Sequence, residues 1–96
     1  METLSILVSQ RQLKRHFQVP SLVVAVKAGI YLPPIILNRR DDGLVQLEDG
    51  HHRLAAYYLA GVSSIPTEGY LLLEKDRKRP TFGNIRDLLE RVKLVL

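Results

Sequence analysis

The chain has 96 residues, a formal net charge of +4 and no cysteine, and 46% of its residues are hydrophobic. This length and apolar content predict one globular domain, spanning residues 1–96, and argue against disorder. The absence of cysteine excludes a disulfide scaffold, a thiolate zinc site and a cysteine nucleophile. With neither a signal-peptide pattern nor an apolar run long enough to span a membrane, the sequence predicts a cytoplasmic protein.

The N-terminal third predicts a strand followed by two helices. Residues 4–8 are apolar and β-prone, which indicates a strand. Ser9 is a candidate N-cap for a first helix, whose apolar face would carry Leu13 and Phe17. Ser21 is a candidate cap for a second helix, which would run to Lys27 and end at a glycine. The valine-rich run is also interpretable as a buried strand.

The middle of the chain predicts a β-hairpin and a helix. Two prolines lead into a strand at 35–38, where a missing N–H is tolerated. The Asp-Gly pair at 42–43 predicts a turn into a third strand at 44–47. A helix is predicted over 51–60, followed by a glycine at its end.

A fourth strand at 69–73, a charged connection at 73–80 and a C-terminal helix at 81–96 complete the prediction. Thr81 or Asn84 would cap this helix. Strands and helices alternate without strict βαβ regularity, so the fold class predicted is a small mixed α/β (α+β) domain, with a mixed sheet flanked by helices.

The C-terminal helix is more apolar than packing on a sheet requires. Its apolar residues are Leu88, Leu89, Val92, Leu94, Val95 and Leu96. Packing against the sheet is one interpretation, and the interface of a homodimer is the other.

The most informative segment is Asp-Gly-His-His-Arg at 49–53, at the junction of a strand and a helix. A helix N-terminus exposes unpaired N–H groups and a partial positive charge, so it attracts anions. The predicted phosphate-binding residues are Gly50, His51, His52 and Arg53. The glycine would allow close approach to the backbone, and the arginine would supply a fork of donors. In the alternative interpretation Asp49 only caps the helix and the histidines are structural.

Carboxylates next to this segment suggest a magnesium ion. Glu48 or Asp49 could hold Mg²⁺ together with the phosphates of a bound nucleotide, because Mg²⁺ usually takes few carboxylates plus phosphate oxygens. A metal site made by the protein alone is not favoured, since adjacent histidines diverge on a helix.

Two clusters of basic residues are candidates for nucleic-acid backbone binding. The first comprises Arg11, Lys14 and Arg15, and the second comprises Lys75, Arg77, Lys78 and Arg79. Taken singly, each cluster is also interpretable as solvated surface.

The segment 49–56, Asp-Gly-His-His-Arg-Leu-Ala-Ala, followed by Gly61 and by Ile-Pro at 65–66, resembles the signature of the ParB N-terminal/sulfiredoxin-like superfamily. Residues 29–37 are similar to that superfamily's Gly-to-Pro-Ile lead into a strand, and the resemblance covers about residues 3–73. It implies a ParB/sulfiredoxin-like fold and a nucleotide-phosphate site at residues 50–53.

The resemblance also bears on catalysis. In sulfiredoxins the residue after the glycine is the reactive cysteine; here it is His51, so sulfinic acid reduction is excluded. The same string is similar to that of free-serine kinases, which implies a catalytic role for Asp49. The candidate catalytic residues are therefore Asp49 and His51.

The sequence thus predicts a stand-alone ParB-like nucleotide-binding domain that holds the phosphates of an NTP or a nucleic acid at 49–53, with Mg²⁺. NTPase, phosphotransfer or nuclease activity is compatible with such a site, and whether the protein is an enzyme is left open. The alternative is a non-catalytic regulatory module that binds DNA, RNA or a protein through the basic clusters and the C-terminal helix.

Overall fold

The computed structural model describes residues 1–93, which form a mixed α/β domain with one hydrophobic core. Its elements in chain order are β1 (Ile6–Leu7), α1 (Val19–Lys27), β2 (Ile35–Arg39), β3 (Val45–Asp49), α2 (His51–Leu59), β4 (Tyr70–Leu73) and α3 (Ile85–Val92). Short 3₁₀ turns occur at Thr3–Ser5, His16–Gln18 and Thr67–Gly69. In this part of the chain, no helix is both long and apolar enough to cross a membrane.

The four strands form one mixed sheet in the order β1-β3-β2-β4. The predicted fold class, a mixed α/β domain, is thereby confirmed. β2 and β3 are the antiparallel arms of a hairpin, in which the Arg40 N–H donates to the Leu44 carbonyl at 2.8 Å. β1 runs parallel to β3, and β4 runs parallel to β2. Because β1 and β3 are parallel, their carboxyl ends meet at the edge of the sheet where α2 begins.

The prediction of a helix capped by Ser9 is wrong. Residues 9–15 are irregular, and only a 3₁₀ turn precedes α1. The Ser9 hydroxyl donates to the Leu47 carbonyl at 2.7 Å, and its N–H donates to His51 Nε2 at 3.2 Å. Both groups that would cap a helix are therefore engaged by β3 and α2. Phe17, expected on the inner face of that helix, is 73% exposed.

The predicted end of α1 is confirmed. Gly29 has a φ of 74°, and its N–H donates to the Val26 carbonyl at 3.1 Å. The next N–H, that of Ile30, reaches back to the Ala25 carbonyl at 2.9 Å, which completes a Schellman motif. α1 turns Val19 and Val23 into the core, so its opposite side faces solvent.

The C-terminal helix is shorter than predicted within the described residues. A capping box between Asn84 and Asp87 starts α3, so the first candidate cap, Thr81, is not used. Leu88 and Leu89 are buried in the chain's own core, as the packing interpretation requires. Leu94, Val95 and Leu96 lie outside the described residues, and the homodimer through this helix stays a prediction.

Two amide side chains occupy the sheet face opposite the helices. Asn38 and Gln46 are neighbours across β2 and β3 and are both fully buried. The Asn38 amide accepts a hydrogen bond from the Lys75 N–H at 2.8 Å and donates one to the Lys75 carbonyl at 3.1 Å. The Arg79 N–H donates to the Gln46 side chain at 3.2 Å. Residues 75–79, here called the strap, are thereby held across this face.

Replacement of Asn38 by leucine should lower the free energy of unfolding by about 2 kcal/mol, because buried backbone groups of the strap lose their partner. Urea denaturation measures this loss, and amide exchange at Lys75 should accelerate with it. The matched variant is Asn38→Asp. It keeps an acceptor for the Lys75 N–H but removes the side-chain donor to the Lys75 carbonyl, so it tests the donated hydrogen bond alone. Unchanged stability and unchanged exchange in Asn38→Leu would show that the amide does not hold the strap.

Candidate functional site

The start of α2 presents backbone donors without partners. Gly50 is the N-cap residue, with φ 109° and ψ 32°, and no side chain within residues 1–93 caps this helix. The interpretation of Asp49 as the cap is therefore wrong. Within residues 1–93, nothing accepts a hydrogen bond from the backbone N–H groups of residues 51–53, whereas the next N–H, of Leu54, donates to the Gly50 carbonyl at 2.8 Å. Three donors thus have no hydrogen-bond partner among the described residues.

Gly50 lies in a space that admits no side chain. A Cβ atom at this position would stand 2.7 Å from Ile35 Cγ2 and 3.2 Å from Arg53 Nη2. Its left-handed backbone is one that glycine adopts at no steric cost. The backbone at the helix start is therefore packed closely against the beginning of β2.

Arg53 is held in place by the segment before β2. Its Nη1 donates to the carbonyls of Pro33 and Pro34, each at 2.9 Å. Its Nη2 lies 3.5 Å from Asp49 Oδ2, and the Arg53 side chain is 20% exposed. Because a guanidinium has five N–H donors, Arg53 keeps donors for an anion while two carbonyls fix its orientation.

His51 is a buried, neutral residue of the site. It is 4% exposed, and its Nε2 accepts the Ser9 N–H at 3.2 Å, so the neutral ring carries its proton on Nδ1. The pKa of His51 is lowered from 6.5 to about 4, mainly by burial and also by the nearby His52 and Arg79, against the opposing effect of Asp49. His51 therefore supplies no positive charge at neutral pH, and its predicted phosphate-binding or catalytic role is limited to the neutral imidazole.

His52 connects α2 to the irregular loop 9–15. Its Nε2 donates to the Lys14 carbonyl across that loop. A surface cavity of about 550 Å³ opens beside this contact. It is lined by Gln10, Arg11, Gln12, Lys14 and His52. The structure therefore brings two members of the first basic cluster, Arg11 and Lys14, to the start of α2, while Arg15 is exposed on the same loop with a φ of 54°.

Glu48 and Asp49 have very different surroundings. The Glu48 side chain is 5% exposed and lies 3.0 Å from Arg77 Nη2 and 2.8 Å from Arg79 Nε. Burial raises the pKa of Glu48, but hydrogen bonds from Gln46 and Arg77 and the charges of Arg77 and Arg79 outweigh it and leave the pKa lowered. Both Glu48 oxygens are thus committed to the strap. The Asp49 side chain is 75% exposed.

The second basic cluster is largely compensated. Arg77 and Arg79 share the carboxylate of Glu48, and Lys78 Nζ lies 3.8 Å from carboxylate oxygens of Asp41 and Asp42. In residues 1–93, no hydrogen bond or ion pair joins this cluster to the first one. Nor does this part of the chain hold a group of three His, Asp or Glu residues that could bind a metal without a ligand's help.

Several residues that hold the site together were not predicted from the sequence. Ser9 was expected to cap a helix, and Pro33 and Pro34 were expected only to start a strand. Backbone carbonyls carry no side-chain signature, so the anchoring of Arg53 had no sequence signal. Gln46 and Asn38 did have one, since each is an amide in an otherwise apolar strand.

Comparisons with protein-family models, with curated proteins and with solved structures returned no match to this chain.

Proposed function

We propose that this protein is a nucleotide-binding domain that takes the phosphates of an NTP at the start of α2. The observation that carries the proposal is the set of three unpartnered backbone N–H groups after Gly50, which lie beside the remaining donors of Arg53. Oriented N–H groups and the helix dipole favour a phosphate at such a place. The resemblance of residues 49–56 to the ParB/sulfiredoxin-like signature supports membership of that superfamily and the same site.

The neighbouring side chains divide the remaining tasks. Arg11 and Lys14 line the cavity next to His52, where they favour a polyanionic ligand. Asp49 is exposed beside Arg53, and it suits Mg²⁺ that is also held by phosphate oxygens. Glu48 does not share this role, because Arg77 and Arg79 already use its carboxylate. The geometry supports nucleotide binding rather than one particular reaction. We also propose that the protein is cytoplasmic, in keeping with its lack of cysteine.

Binding to the phosphate backbone of nucleic acid is the weaker alternative. The strap cations face carboxylates at 2.8 to 3.8 Å, so much of their charge is unavailable to an external phosphate. The first cluster has no such partners within the described residues, but it lies at the nucleotide site already proposed. A domain that binds nucleic acid through the strap would therefore first have to break the contacts of Glu48.

Titration calorimetry with ATP, CTP and ADP in the presence of Mg²⁺ tests the proposal. Arg53→Ala should weaken the binding of the preferred nucleotide by about tenfold or more, since a charge-assisted hydrogen bond to phosphate is lost. Because Arg53 also anchors residues 33–34, the melting temperature of the variant must be measured alongside. Arg39→Ala removes a 46% exposed arginine on β2 and should leave the affinity unchanged. Absence of heat with every nucleotide would refute the proposal.

A further inference from the structure

The solvent side of α1 and its flanking turns carries large apolar side chains that nothing in residues 1–93 covers. These are Phe17, Val24, Ile30 and Tyr31, which are 73%, 67%, 60% and 67% exposed. We call these four residues the α1 face. Singly exposed apolar residues are ordinary, but four within fifteen residues of chain are a concentration of the kind that marks an interaction surface.

Helical spacing places Phe17 and Val24 on one side of the segment. Phe17 stands in the 3₁₀ turn that continues directly into α1, and Val24 follows it by seven residues, or about two turns. Ile30 and Tyr31 follow the Schellman motif at the other end. The Tyr31 hydroxyl donates to the Glu68 carbonyl at 3.4 Å, which fixes the far end of the face against the turn before β4.

The charged residues on either side of Phe17 and Val24 in the sequence are all positive. Residues 3–40 contain six Lys or Arg residues and no Asp or Glu. Lys14 and Arg15 precede Phe17, Lys27 lies in the last turn of α1, and all three are exposed. The acidic residue that a contact places near the face is Glu68, at the Tyr31 end. The α1 face is therefore flanked by exposed cations around Phe17 and Val24 and by an acidic residue at its Tyr31 end.

We infer that the α1 face docks an acidic amphipathic helix of a partner protein, with apolar side chains on Phe17 and Val24 and carboxylates toward Lys14, Arg15 and Lys27. Grooves and stripes of this kind commonly receive helices through anchors spaced three, four and seven residues apart. Complementary charge adds attraction during encounter and discriminates against basic partners. The inference goes beyond the nucleotide site, although the two surfaces share Lys14.

The same observations disfavour the other occupants. A second copy of this chain would bring two positive faces together, which like-charge repulsion opposes. A single-stranded nucleic acid would stack on Phe17 and Tyr31 but would gain little from the aliphatic side chains of Val24 and Ile30. An anionic membrane would face a nine-residue helix whose exposed residues include Ser21, a shorter apolar surface than interfacial helices present.

The test uses two labelled peptides of about 18 residues, long enough as helices to cover the face. Both carry leucines at helical spacing; one has glutamates at the remaining charged positions, and its twin has lysines. Fluorescence anisotropy with the full chain should show the acidic peptide binding at least about tenfold more tightly than its twin, with an affinity that falls as salt rises. The double variant Phe17→Ser, Val24→Ser should weaken that binding by about tenfold or more.

Leu44→Ser is the matched control, because it removes a 49% exposed leucine from the β2–β3 hairpin, away from α1. It should leave the affinity for the acidic peptide unchanged, and melting curves show whether each variant keeps its fold. Equal binding of the two peptides, or no binding of either, would overturn the inference. So would tight binding of phosphatidylserine vesicles or poly(U) RNA that the serine variants abolish, and so would concentration-dependent dimerisation that they abolish.

Discussion

Alanine in place of Gly50 is expected to lower the free energy of unfolding by about 3 kcal/mol, as the sum of backbone strain and a steric clash. The native φ of 109° is one that L-residues rarely adopt. The new methyl group would also stand 2.7 Å from Cγ2 of Ile35, a fully buried β-branched side chain that cannot easily move aside. Equilibrium unfolding in urea measures the loss.

Gly61→Ala separates the two causes. Gly61 has a φ of 84°, but a Cβ atom there would meet nothing within 4 Å, so its replacement should cost only the backbone strain of about 1 kcal/mol. Ile35→Leu, which removes the Cγ2 methyl, should recover part of the stability lost in Gly50→Ala. Equal costs at Gly50 and Gly61 would show that the contact with Ile35 contributes nothing.

Acidification is expected to destabilise the domain through His51 by an amount on the order of 3 kcal/mol. The pKa of His51 is about 4 in the fold against an ordinary value of 6.5. As the pH falls below about 6.5, His51 therefore becomes protonated in the unfolded chain while it stays neutral in the folded protein. The stability that His51 provides is complete above about pH 6.5, is lost progressively as the pH falls toward 4, and falls no further below that through this group.

The variant His51→Gln isolates this effect. Glutamine can accept the Ser9 N–H but does not titrate in this range. Urea unfolding of both proteins at a series of pH values should give a difference that grows from about pH 6.5 down to about pH 4. His16 and His52 are present in both proteins. Parallel pH profiles would show that His51 is protonated equally well in the folded and unfolded chains.

Local sequence signals were enough to predict those parts of the fold that depend on residues close together in the sequence. The Asp42–Gly43 turn and the two prolines predicted the β2–β3 hairpin, and Gly29 and Gly61 predicted where α1 and α2 end. Each of these signals acts within a few residues, through a positive φ or a missing N–H.

The prediction of a helix after β1 was wrong because the conformation of this loop depends on residues far away in the sequence. Ser9 has the right neighbours for a helix cap, but its hydrogen-bond partners Leu47 and His51 lie 38 and 42 residues further along the chain. Tertiary hydrogen bonds of this kind compete with local helix formation, and local sequence patterns do not predict them.

The candidate site shows the same division. Residues 49–53 were recognisable because they are contiguous, and their position at a helix start followed from Gly50. The anchoring of Arg53 by the Pro33 carbonyl, and the pairing of Glu48 with Arg77, join residues 20 and 29 positions apart. Sequence alone therefore indicated which residues gather at the helix start, but not which of them are already engaged by the protein.

The way in which the strap is held determines where this domain can accept inserted residues. A β-strand is fixed residue by residue, because one inserted residue reverses the direction of every side chain that follows. Asn38 and Gln46 instead bind the strap at Lys75 and Arg79, and Glu48 binds Arg77 between them. Extra residues on either side of Arg77 can bulge into solvent while these contacts persist, at the modest entropic cost of a longer loop. This side of the sheet can therefore accept insertions that the hairpin beneath it cannot.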